Sequence, residues 1–161
     1  MKHHIHLMIF LLASSIGCQT RIPVFNGNAA FTHLVAQCDF GPRNPGSVGH
    51  QKALDYFLNV LTTLADTVST QSFTEIMPRS KQKVEMHNII AQFNPKAKKQ
   101  IMISAHWDTR PWGDRSLSIM RKDQPIMGAN DGASGVAILL ELAKVLHDNP
   151  QKIGVNLVLF D

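Results

Sequence analysis

The sequence predicts an α/β domain built on a mixed sheet, and three observations carry that prediction. The apolar run 101–105 and a second apolar run, 155–160, are separated by a polar loop and a long segment of helical periodicity. That order is a βαβ unit, whose two strands run parallel. Residues 67–76 and 84–93 are rich in Thr, Val, Ser, Ile and Phe with rough alternation, and Pro78 and three basic residues interrupt them. They read as antiparallel neighbours, which makes the sheet mixed. Leu54, Phe57, Leu58, Leu61 and Leu64 recur at helical spacing, so a helix with one buried face precedes the strands. At 161 residues and 44% hydrophobic content the chain can bury a sizeable core.

Taken in order, the chain divides into residues 1–17, 18–36 and 37–161. Met1-Lys2-His3-His4 is a short basic start, 5–13 an apolar run, and Ser14 to Gly17 a small-residue stretch before Cys18. This resembles a bacterial lipoprotein signal, cleaved before Cys18, with Cys18 then lipidated. The apolar run is too short to span a membrane. The expected location is therefore a membrane anchor facing the periplasm or cell surface, with ordinary secretion as the alternative.

Residues 19–30, with Pro23, Gly27 and Asn28, read as a surface tether, and 31–37 as a short helix. A lipidated Cys18 cannot pair with Cys38, so Cys38 is expected as a small, buried residue, with pairing to a downstream cysteine outside the 161 residues as the lesser alternative. Ser47 is placed to cap a helix running to about Ala65. His50, in its first turn, reads as a surface or packing residue. His87 is expected to point away from the core, opposite Met86. After the polar turn 94–100, Ile101 starts what reads as the central strand. The 133–147 helix is apolar around much of its circumference and should lie against the sheet. Glu141 is its exception, solvent-facing by default, with capping of a neighbouring group or accepting from backbone near the site as the alternatives.

Candidate site residues gather where the strands end, the edge at which open α/β sheets bind ligands. A histidine such as His106 at a strand end can offer one ring nitrogen to a divalent metal. A carboxylate such as Asp108 can then accept from the other nitrogen and fix the tautomer. The plain alternative is a polar strand end with a turn aspartate. Asp131 follows the Gly128-Ala129-Asn130 turn and directly precedes the helix. It reads either as the N-cap of a 132–148 helix or as a metal ligand kept ionised by the helix start. Trp107 and Trp112 either fold over the sheet edge or line an apolar pocket beside the metal. Arg110, Asp114 and Arg115 read as bracing that loop through ion pairs.

Three stretches in the same order carry a family resemblance: the segments 104–111 (SAHWDTRP), 128–136 (GANDGASGV) and 157–161 (LVLFD). Together they resemble peptidase family M28, the zinc aminopeptidase superfamily. The segment 37–47 (QCDFGPRNPGS), with His50 after it, is similar to its glutaminyl cyclase branch. The resemblance implies the three-layer sandwich of the zinc aminopeptidases, cut off after about half of the domain. It implies Asp131 as the metal aspartate of both branches. His106 is implied as a ligand of the second zinc in two-zinc peptidases and as a neighbour of the essential zinc in cyclases, with Asp108 supporting it as the candidate catalytic carboxylate. It also implies an acidic pair soon after the strand that ends at Asp161, and a later histidine ligand. None of these is among the 161 residues, so the resemblance implies an N-terminal fragment that is inactive alone.

The reading favoured by 37–47 and 104–111 is a one-zinc cyclotransferase that converts N-terminal Gln of peptides or proteins to pyroglutamate and releases ammonia. A two-zinc aminopeptidase is the alternative, and a surface lipoprotein that keeps the fold without catalysis is a third. Sixteen basic against twelve acidic residues give a net charge of +4. The basic residues are scattered over apparent loops without interleaved aromatics, so a nucleic-acid surface is not indicated. Neither a serine nucleophile elbow nor a GxxxxGK phosphate loop is present.

Overall fold

The computed structural model describes residues 22–113 and 122–161. Cys18, Asp114 and Arg115 lie outside them. No helix among the described residues is long and apolar enough to cross a membrane.

Two helices come first, α1 (Gly27–Asp39) and α2 (Val48–Leu64). An antiparallel pair follows, β1 (Thr67–Ile76) and β2 (Lys83–Phe93). The chain then makes β3 (Gln100–His106), a wide turn at Ala129–Ala133, α3 (Ser134–Asp148) and β4 (Gly154–Phe160). The strand order is β1-β2-β4-β3, with β4 antiparallel to β2 and parallel to β3. The mixed sheet and the βαβ unit are thus as the sequence indicates. β3, read as central, is the edge strand of the described sheet.

Local chemistry explains the helix starts. The Asn26 side chain accepts from the backbone N–H groups of Asn28 and Ala29 at 3.1 Å, which starts α1 four residues before the expected 31 and draws 27–30 out of the tether. The Ser47 hydroxyl accepts from His50 N at 3.1 Å and caps α2 where the sequence places it. Glu141 is not solvent-facing. It is 6% exposed and accepts the Asn26 N–H at 3.1 Å, so a carboxylate of α3 fixes the entry to α1.

The core lies on one face of the sheet. Ile89, Ala91 and Phe93 of β2 and Val155, Leu157 and Leu159 of β4 share one side, as the two-residue period of strands requires. They pack on Phe57 and Leu61 of α2 and on Val136, Leu140 and Ala143 of α3. Full burial of each large side chain contributes about 1.5–3 kcal/mol. α1 lies against α3 on the outside. The opposite face carries Gln71, Asn88, Gln92 and Asn156, whose amides bond to one another across the strands. Of the expected three layers, the described residues supply a sheet and the helices on one side of it.

Candidate active site

The site sits where β3 ends. β3 delivers His106 to the carboxyl edge of the sheet, and the chain turns at once so that Asp108 comes back to the same ring. His106 Nδ1 lies 3.1 Å from Asp108 Oδ1, and His106 Nε2 lies 3.1 Å from Asp131 Oδ1. Arg110 Nη2 is 3.8 Å from the other Asp131 oxygen. His106, Asp108 and Asp131, named from the sequence, are therefore brought together in one open cluster.

The turn that supplies Asp131 is not the start of the helix. Asp131 is extended, with φ −94° and ψ 96°, and Gly132 has φ +97°. α3 starts at Ser134 with Ala133 as its cap residue and no side-chain cap. The N-cap reading of Asp131 is thereby corrected: its carboxylate points at His106 and caps nothing. Glycine is favoured at 132 on two grounds. Its φ is one that other residues rarely adopt, and a Cβ there would sit 3.1 Å from both Asp108 O and His106 Cε1, tighter than ordinary contact. Close approach of the two halves of the site depends on that missing atom.

The pairing has a chemical consequence. A neutral imidazole carries one N–H, yet both nitrogens of His106 face carboxylate oxygens. One of the two contacts needs a shared cation, either a proton on the ring or a metal. A tetrahedral zinc at 2.0–2.1 Å from a histidine nitrogen and a carboxylate oxygen holds them roughly 3.3 Å apart, close to the 3.1 Å found. His106 Nε2 and Asp131 thus fit as two ligands of one zinc, with Asp108 fixing the ring through Nδ1. Among the described residues no group of three or more His, Cys, Asp or Glu is gathered for a metal.

The aromatic residues of the loop lie elsewhere than expected. Trp107 is fully buried and therefore lines no open pocket beside His106. Its ring stacks on His50 at 4.3 Å and meets Phe57 edge-on at 5.7 Å. The side chain after a strand-end histidine points to the opposite face, here the core. Trp112 does line a cleft, about 320 Å³ in volume, with Arg79 5.1 Å above its ring. That cleft runs between the β1–β2 hairpin and Ser47, and neither His106 nor Asp131 lines it.

Two further arrangements were missed in the sequence. Arg43 is fully buried and donates to four backbone carbonyls: Trp107 O at 3.0 Å, Gln37 O at 3.2 Å, Met127 O at 3.1 Å and Gly128 O at 3.0 Å. It accepts Thr109 N–H on its own carbonyl at 3.2 Å. Burial lowers its pKa from the ordinary value, an effect that Cys38 and Asp108 oppose. Arg43 so ties the loop of Asp108 to the loop of Asp131. The second arrangement is a buried pair, His50 and Asp161, 2.7 Å apart. The only sequence sign of either was their place in or beside the 37–47 motif and at the end of β4.

The chain is similar to known proteins in sequence and in fold. Residues 88–161 match the model of Peptidase family M28. Over 125 residues the chain is 31% identical to a glutaminyl-peptide cyclotransferase of Drosophila melanogaster, covering 74% of this chain and 32% of that one. It superposes on a Bacteroides thetaiotaomicron glutaminyl cyclase crystallised with N-acetylhistamine at a TM-score of 0.81 and 34% identity, over 86% of this chain and 47% of that one. A Zn-dependent exopeptidase from Parabacteroides distasonis gives 0.83 and 33%, over 88% and 48%. The chain thus spans about a third of the fly protein and just under half of the two bacterial structures. The chain is thus similar to peptidase family M28 over residues 88–161, and its sheet superposes on these structures.

Proposed function

We propose that this chain carries part of the active site of a glutaminyl-peptide cyclotransferase, which closes N-terminal Gln to pyroglutamate and releases ammonia. The observation that carries the reading is His106 held between Asp108 and Asp131 at 3.1 Å on either side, in a fold shared with a glutaminyl cyclase. Zinc, when bound, would supply a Lewis acid for the γ-carbonyl of the glutamine. Asp131 would be its ligand from this chain. Asp108 fixes the imidazole of His106 through Nδ1, which turns Nε2 toward Asp131 and the reacting group. The substrates under this reading are the N-termini of peptides and proteins.

The spacing of His106 Nε2 and Asp131, which one further zinc would fit, favours a second reading, a two-zinc aminopeptidase, and the Parabacteroides distasonis neighbour is a Zn-dependent exopeptidase. His106→Ala in the full-length protein separates the two. The cyclotransferase reading expects the zinc content to stay and turnover to fall by about 10–100-fold, the usual cost of losing an orienting partner. Loss of one metal equivalent together with nearly all peptide hydrolysis would instead establish the aminopeptidase.

Export with lipid attachment at Cys18 belongs to the same proposal, on the strength of the basic start, the apolar run and the Gly17-Cys18 junction. Its expected sign is protein in the membrane fraction that becomes soluble on Cys18→Ser, and a mature N-terminus at another residue would refute it.

A further inference from the structure

We propose that His50 and Asp161 form a positioning pair, which holds Trp107 and through it aims His106 and Asp108. This rests on the reading of His106, Asp108 and Asp131 as the reacting site. It assigns to α2 and β4 a part in the chemistry that neither contributes directly.

The pair is closed to water. The His50 side chain is 4% exposed and that of Asp161 fully buried. His50 Nε2 donates to Asp161, lying 2.7 and 2.9 Å from its two oxygens. Asp161 Oδ2 also accepts the His87 N–H at 2.8 Å, and the Asp161 N–H donates to the Asn88 side chain at 3.0 Å. A buried carboxylate that accepts from two fixed donors has one orientation available. The imidazole that it fixes is the one stacked on Trp107 at 4.3 Å.

Trp107 is the residue between His106 and Asp108, and each of its polar atoms is occupied. Its N–H donates to Phe160 O at 2.8 Å, its carbonyl accepts from Arg43 Nε at 3.0 Å, and its indole N–H donates to His87 O at 3.1 Å. The ring lies between the His50 face and Phe57. His87 ties both sides together, giving its N–H to Asp161 and its carbonyl to Trp107. Any shift of the His50 ring must move the indole or open a void in the core. The peptide planes on either side of Trp107 set the direction of His106 and Asp108, so the shift reaches the site directly. Reaction geometry is sensitive to displacements of this kind, with about 100-fold lost for a misplacement of about 1 Å.

The test compares three full-length variants. His50→Phe keeps a flat ring against Trp107 and removes the donor to Asp161. His50→Gln keeps a donor at the place of Nε2 without the ring. Asp161→Asn keeps the shape and removes the charge. Each is measured for kcat and KM on an N-terminal Gln peptide, for zinc affinity, and for fold by near-ultraviolet circular dichroism. The expected result is a kcat lowered by about 10–100-fold in His50→Phe at an almost unchanged KM, with substantial recovery in His50→Gln. His106→Ala and Asp131→Ala run alongside, and if they change neither zinc nor turnover it is the site reading that fails. If they do change them, while folded His50→Phe and Asp161→Asn retain wild-type kcat and zinc affinity, the pair is structural only and the proposal is overturned. Should His50→Phe not fold, Asp161→Asn decides by the same criterion.

Discussion

Asp131→Ala is expected to remove zinc from the full-length protein and to abolish turnover, while the fold stays close to the stability of the zinc-free wild type. The carboxylate is 58% exposed, directed at His106 Nε2, and bonded to no helix N–H. Its removal leaves no buried donor unpaired and opens no cavity, so the stability change relative to the zinc-free wild type should be within about 0.5 kcal/mol, as for an ordinary surface substitution. Had Asp131 been the N-cap, about 0.5–2 kcal/mol would be lost with metal content intact. Metal affinity is set by charged ligands, and losing one should cost more than the roughly 10–100-fold typical of an outer partner. Metal analysis of the folded variant, with a denaturant titration beside it, reads both quantities. Full zinc content in Asp131→Ala would remove it from the ligand set.

Arg43→Ala carries the largest expected loss of stability. A fully buried guanidinium is deleted, and four carbonyls from three separate stretches, at Gln37, Trp107 and Met127-Gly128, lose their donor. Hydrogen bonds to a charged group contribute about 1.5–3 kcal/mol each, and buried carbonyls left unpaired bear their desolvation cost in full. The total should reach about 3–5 kcal/mol, the range found when a buried charged network is broken. Arg43→Lys should recover less than half of this, because three donors on one ammonium cannot span four carbonyls around a planar fork. Denaturant midpoints measure the difference. A loss below about 0.5 kcal/mol in Arg43→Ala would mean that the two loops are held by other contacts.

Much of this was legible in the sequence where the signal is local. The periodicity of 47–65, the Ser47 cap, the alternation of 67–76 and 84–93 and the apolar runs at 101 and 155 each state a hydrogen-bonding pattern within a few residues, and the elements form there. His106, Asp108 and Asp131 were legible because a strand end and a glycine-rich turn on one βαβ unit must meet at one edge. Contacts across long stretches of chain were not. Arg43 reaches Gly128 across 85 residues, His50 reaches Asp161 across 111, and Glu141 reaches Asn26 across 115. Each is a charged or titratable side chain whose usual place is the surface, and its burial goes with a distant partner, a backbone group for Arg43 and Glu141 and a carboxylate for His50. Trp107 illustrates the same limit. Its neighbours His106 and Asp108 suggested a pocket, while the face it presents was decided by α2, which supplies His50 and Phe57.

The central claim, a cyclotransferase site built around His106 and Asp131, is tested most directly by counting zinc and identifying product together in the full-length protein. The account predicts one tightly bound zinc per chain, pyroglutamate and ammonia from a peptide with N-terminal Gln, and little release of N-terminal leucine. Two zincs per chain with efficient leucine release and no ammonia would contradict it.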